Sequence, residues 1–206
     1  MKKLPIYKLV IDENIESESE VDFVALVDRP AIEKNFLAFN KNEIIDRKYF
    51  AIDNEEQKII SGALMLANTP IYRNDHNGEY YVIFDADTIK KIALKFFKKG
   101  YQKNVNLMHD EGMILEDITM FESWIKDSKR GIMGMQGFED VPDGSWFGSF
   151  KIENDDVWKM VKEGKIKGFS VEGIFNYVKQ NFYNGNDIYN NKLNKIINIL
   201  NQIQYE

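Results

Sequence analysis

Two short segments carry the residue types best suited to covalent chemistry in this chain. Gly168-Phe169-Ser170-Val171-Glu172-Gly173 sets one serine between glycines, and Val105-Asn106-Leu107-Met108-His109-Asp110 contains one of only two histidines. An alcohol is a weak nucleophile until a base within hydrogen-bond reach takes its proton, and imidazole is the usual base near neutral pH. The other histidine, His76, lies in Asp75-His76-Asn77-Gly78, which reads as a solvent-facing turn. His109 reads as the end of an extended segment whose face it shares with Val105 and Leu107, and it is the favoured partner for Ser170. A lone Gly-x-Ser-x-x-Gly is common, and its spacing differs from the nucleophile elbow of the α/β-hydrolases. What raises it here is glycine at 168 and 173, which would admit a peptide backbone or an oxyanion close to the strand.

A general base needs a partner that fixes its tautomer. In Ile118-Thr119-Met120-Phe121-Glu122-Ser123-Trp124-Ile125, a two-residue period puts Glu122 on the apolar face of Met120 and Trp124. A carboxylate there needs a partner, because burying it alone is costly. A histidine would serve, and so would a lysine or arginine. Glu172 is the rival, two residues from Ser170 and on the same strand face. Asp110 adjoins His109, but neighbours on a strand point opposite ways.

Several elements must position these groups. Residues 4–12, 21–27, 59–67, 80–84, 104–109, 117–125, 131–138 and 145–152 read as strands, with the 59–67 and 80–84 pair as a hairpin across a long loop. Residues 87–99 give the clearest helix, with Asp85 or Asp87 as cap and Ile89, Ile92, Ala93, Phe96 and Phe97 on one face. A second helix, about 154–163, begins at Asn154 and runs directly into the serine strand. Phe36, Leu37 and Phe39 are expected core anchors, and the acidic run 12–20 a solvated loop. After residue 178 asparagine becomes abundant, and Leu193, Ile196, Leu200 and Ile203 make an amphipathic stripe. The division expected is a domain over 1–178, then an Asn-rich linker and terminal helix over 179–206.

The chain has 206 residues, 44% of them hydrophobic, a net charge of −6 and no cysteine. That charge argues against a mainly electrostatic nucleic-acid binder. No cysteine means no disulfide and no thiolate metal site, and two histidines make a structural zinc site a poor reading. No cofactor or metal is expected. No apolar run approaches the roughly 20 residues of a membrane span, and the start lacks a signal-peptide core, so a cytoplasmic protein with no membrane or nucleic-acid partner is expected.

The ordered set Val21 to Ile32, the histidine strand, Phe121-Glu122-Ser123-Trp124-Ile125, Pro142-Asp143-Gly144-Ser145-Trp146, and Val157-Trp158 through Gly173 resembles the XkdF-like phage serine proteases. These are relatives of the tailed-phage prohead (capsid maturation) proteases. The likeness spans roughly residues 20–178. It implies an α+β fold like the herpesvirus assemblins: a small, mostly antiparallel β-barrel with helices around it. It also implies a histidine-then-serine catalytic order, placing those roles on His109 and Ser170. The herpesvirus branch uses a second histidine as third member. None follows Ser170 here, which leaves Glu122 or Glu172, or no third residue. The activity implied is endopeptidase cleavage of scaffold and major capsid protein, and of the enzyme itself, inside an assembling prohead in the host cytoplasm. Self-association of the chain stays open. The alternatives are an inactive virion assembly protein on the same fold, and a hydrolase of small esters or amides.

Overall fold

The computed structural model describes residues 4–29, 50–54, 57–76 and 78–179. Phe36, Leu37, Phe39 and the stripe from Leu193 to Ile203 lie outside these residues.

The described chain is α+β, with twelve strands and two α-helices. In chain order the strands are β1 (Ile6–Val10), β2 (Val21–Val27), β3 (Phe50–Asn54), β4 (Ile59–Met65), β5 (Ile71–Asp75), β6 (Gly78–Ile83), β7 (Val105–Leu107), β8 (Asp110–Ile114), β9 (Ile118–Ile125), β10 (Trp146–Ile152), β11 (Gly168–Gly173) and β12 (Asn176–Lys179). They form three four-stranded sheets in the orders β12-β1-β6-β5, β3-β4-β10-β9 and β11-β2-β7-β8. Pairing is antiparallel except for β1 with β6 and β2 with β7. The closed barrel implied by the resemblance is not among these pairings: the described strands divide into three sheets, each with two edges. Nor do 59–67 and 80–84 form a hairpin. The hairpin partner of β6 is β5, closed across a two-residue connection between Asp75 and Gly78.

β4 and β10 are central in their sheet and buried along nearly their whole length, so they read as apolar runs rather than alternating strands. The main core gathers Val24 and Leu26 of β2, Ile60 and Leu64 of β4, and Trp146 and Phe150 of β10 against the helices. A smaller cluster on the other face of β10 holds Phe147, Phe138 and Val141, with Trp124 stacked on Phe147 at 5.4 Å. Residues 131–138 are not a strand. Gly131 and Gly137 adopt left-handed backbone (φ 75° and 86°), which breaks the extended run that the alternating methionines suggest.

Helix α1 (Ala86–Lys98) starts where Asp85 accepts a hydrogen bond from Thr88 N, and buries Ile89, Ile92, Ala93 and Phe96. Phe97 is partly exposed instead. The unexpected member of the buried face is Lys95, only 3% exposed. Its ammonium donates to the carbonyls of Asp12, Ser17 and Ser19 and lies 3.4 Å from Glu20 Oε2. Lys99 and Tyr101 donate to Glu20 as well. Thus the acidic segment 12–20 is fastened to the helix rather than freely solvated. Helix α2 (Asp155–Lys162), capped by Asn154, ends at Gly164 in the left-handed conformation (φ 68°), and β11 follows. Among the described residues no helix is long and apolar enough to cross a membrane.

Candidate active site

The sheet β11-β2-β7-β8 builds the site. Ser170 of β11 stands opposite Ala25 of β2, which stands opposite Asn106 of β7. Directly opposed residues share a sheet face. The alternate positions Phe169, Val24, Leu26 and Val105 fall in the main core, so the opposite face carries Ser170, Asn106 and, two residues on, Glu172. The small side chain of Ala25 leaves room between the two polar residues that flank it.

His109 arrives by a route the sequence did not suggest. β7 stops at Leu107, and Leu107 pairs with Asp110 across a two-residue turn, Met108-His109. Both turn residues are left-handed, with φ of 55° and 63°. This is the backbone of a type I′ hairpin, normally built from asparagine and glycine. Methionine and histidine there cost roughly 1–2 kcal/mol each. His109 is therefore a turn-tip residue, not the end of a strand. The turn is anchored where Met108 N donates to Leu26 O at 3.0 Å and Asp28 N donates to Met108 Sδ at 3.3 Å.

From this turn His109 Nδ1 reaches Glu172 Oε1 at 2.8 Å. Asn106 Nδ2 donates to the same oxygen at 2.7 Å. With Glu172 ionised, Nδ1 carries the proton and Nε2 is left as the basic nitrogen. Ser170, Glu172, His109 and Asn106 all line one cleft of about 1090 Å³. Ser170 is 9% exposed, while the imidazole is 44% exposed. Among the described residues no hydrogen bond joins Ser170 Oγ to the imidazole. Without substrate such bonds are often long. Asp22, which also lines the cleft, has its carboxyl held above the usual range, first by burial and then by the charges of Glu20 and Glu172.

Glu122 is not part of this constellation. Its strand, β9, belongs to a different sheet, and Glu122 is exposed. The reason is a β-bulge. β10 pairs Ser149 with Glu122 but the next residue, Phe150, with Met120, so Phe121 is the extra residue. That insertion reverses the two-residue alternation and puts Glu122 on the face away from Met120. His76 is exposed beside the β5–β6 turn, as its sequence context suggests. Gly173 does permit close approach, but of the protein's own backbone: a Cβ there would lie 1.9 Å from Glu20 O. Asn106 was missed. The signal for it was an asparagine between two apolar strand residues, three positions before the histidine.

A family model described as "Putative phage serine protease XkdF" matches residues 46–179, which include all four side chains of the site. The chain belongs to this family. The XkdF family resemblance extends to a curated protein, the phage-like element PBSX protein XkdF of Bacillus subtilis (strain 168). It is 24% identical over 159 residues, covering 76% of this chain and 48% of that protein. This chain thus spans about half the length of that XkdF relative. No solved structure matches it significantly.

Proposed function

We propose that the chain is a serine endopeptidase acting in phage capsid maturation, with Ser170 as nucleophile, His109 as general base and Glu172 as the residue that orients the imidazole. The observation that carries this reading is the 2.8 Å contact between His109 Nδ1 and Glu172 Oε1, in the same cleft as Ser170. A carboxylate on Nδ1 leaves Nε2 free to take the hydroxyl proton as Oγ attacks a scissile carbonyl. The carboxylate also stabilises the imidazolium that forms. That imidazolium then returns the proton to the leaving amine, and water repeats the sequence on the acyl-enzyme. Backbone N–H groups would hold the oxyanion, each worth about 100- to 1,000-fold in rate. The proposed substrates are segments of the scaffold and major capsid protein, and of the protease itself, within the assembling prohead.

The test is co-expression with the scaffold and major capsid protein, comparing the native chain with Ser170→Ala. Cleavage that persists in the variant removes Ser170 from the mechanism. A second reading, an inactive assembly protein on the same fold, is favoured by the absence of a bond between Ser170 Oγ and the imidazole. A fluorophosphonate probe decides between them: labelling abolished by His109→Ala supports the enzyme, and a folded native chain that takes no label supports the assembly role.

A further inference from the structure

We infer that Asn106 is a positioning residue for the general base, acting through Glu172. This rests on the reading of His109 and Glu172 given above. Asn106 is 1% exposed, on the middle of a strand otherwise committed to the core. Its Nδ2 donates at 2.7 Å to Glu172 Oε1, the oxygen that also receives His109 Nδ1 at 2.8 Å. Its Oδ1 is buried and has no partner among the described residues.

The two ends of this amide explain each other. Turning the amide over would set Oδ1 against the carboxylate oxygen, acceptor facing acceptor. The carboxylate therefore fixes the amide orientation, and the unpartnered Oδ1 follows from it. A buried acceptor without a donor carries a desolvation penalty. An asparagine serving stability alone would gain from an orientation that satisfied both ends. Here one end is left unsatisfied while the other holds a carboxylate at a stated oxygen. What the arrangement supplies is direction. Glu172 could rotate freely at the end of its side chain, but Asn106 and His109 together confine one oxygen between them. Confinement of that oxygen selects the Nδ1–H tautomer of His109 and leaves Nε2 as the base.

The tautomer of His109 can be read without turnover, by long-range ¹H–¹⁵N correlation on histidine-labelled full-length protein in a Ser170→Ala background. Only two histidines contribute. His76, assigned by His76→Gln, is exposed, is not among the residues lining the cleft, and serves as an internal reference. The native Asn106 background should show His109 mainly as Nδ1–H at a pH where the ring is neutral. Asn106→Leu, which keeps bulk but donates nothing, should lower the Nδ1–H to Nε2–H ratio about tenfold, the scale of one hydrogen bond to a charged group. His76 should not move. An unchanged His109 ratio in folded Asn106→Leu overturns the proposal. If that variant does not fold, the reciprocal measurement uses the Asn106 amide protons: slow solvent exchange that becomes fast in Glu172→Ala supports the pairing, and equal exchange in both refutes it. Should the chain prove not to be a protease, the native chain and Ser170→Ala would give the same pattern of scaffold and capsid-protein species while the tautomer result stood unchanged.

Discussion

Replacing Glu172 separates the two carboxylates that sequence spacing offered to His109. Glu172→Ala removes the acceptor of both the Asn106 amide and the imidazole. Leaving the buried Asn106 donor unpaired costs about 1–3 kcal/mol of stability. A hydrogen bond to a charged group is worth roughly 1.5–3 kcal/mol, and each 1.36 kcal/mol is tenfold in rate, so nucleophile reactivity should fall about 10- to 150-fold. Glu172→Gln keeps an oxygen for both donors but loses the charge. It should cost about 5- to 10-fold in rate and under about 1 kcal/mol of stability, the difference between charged and neutral hydrogen bonds. Glu122→Ala removes an exposed carboxylate from another sheet, and should stay within about 0.5 kcal/mol and at the native rate. The assay is the rate of fluorophosphonate labelling of Ser170, followed by intact mass well below each variant's melting temperature. The reasoning is refuted if Glu172→Ala labels at the native rate while Ser170→Ala takes no label, or if Glu122→Ala is the slower variant.

Other consequences are equally direct. Asp22 titrates above its unfolded range in the fold, so its ionisation disfavours the native state; Asp22→Asn should raise stability near pH 7 by under about 1 kcal/mol, with the gain vanishing below pH 4. Glu20 has the opposite sign. Burial alone would raise its carboxyl, but hydrogen bonds from Lys99 and Tyr101 and the charges of Lys99 and Lys95 outweigh that and hold it low. Its contribution is present above its unfolded pKa and lost as pH falls through the folded one, so acid melting curves of Glu20→Gln should be flatter than native. Lys95→Met strands three carbonyls now served by one ammonium, and should cost about 1–3 kcal/mol by chemical denaturation. Gly144→Ala must fit a Cβ 2.3 Å from Ala86 Cβ at a φ of 89°, and a loss of about 2–4 kcal/mol is expected; a melting temperature equal to native would contradict that contact.

The serine and the histidine were legible because few residues of this chain can do such chemistry, and the structure brings both to one cleft. The face of Glu122 was not legible, because a single bulged position at Phe121 inverts the alternation that placed it beside Met120. Placing Glu172 on the face of Ser170 needed only the two-residue period, because the register shift between β11 and β2 begins after Glu172. The helices were legible from Asp85, Asn154 and the apolar spacing. Four strands, β3, β5, β8 and β12, escaped notice because they are short and interrupted by polar residues, as in Arg73-Asn74-Asp75 and Asp110-Glu111-Gly112. Lys95 escaped for the reverse reason: its burial depends on three carbonyls brought to it from residues 12, 17 and 19, which helical periodicity on α1 does not register.

The alcohol and the carboxylate ride on one strand, two residues apart, so strand geometry sets the spacing of their Cα atoms. The imidazole rides on a different piece of backbone, a two-residue bend held by a hydrogen bond from Met108 N to Leu26 O of β2 and by one from Asp28 N to Met108 Sδ. Sliding that bend alters the ring-to-alcohol separation and leaves the backbone spacing of Ser170 and Glu172 untouched. The proposed assembly is mechanically asymmetric: two members share one stretch of backbone, and the proposed proton acceptor is carried on another.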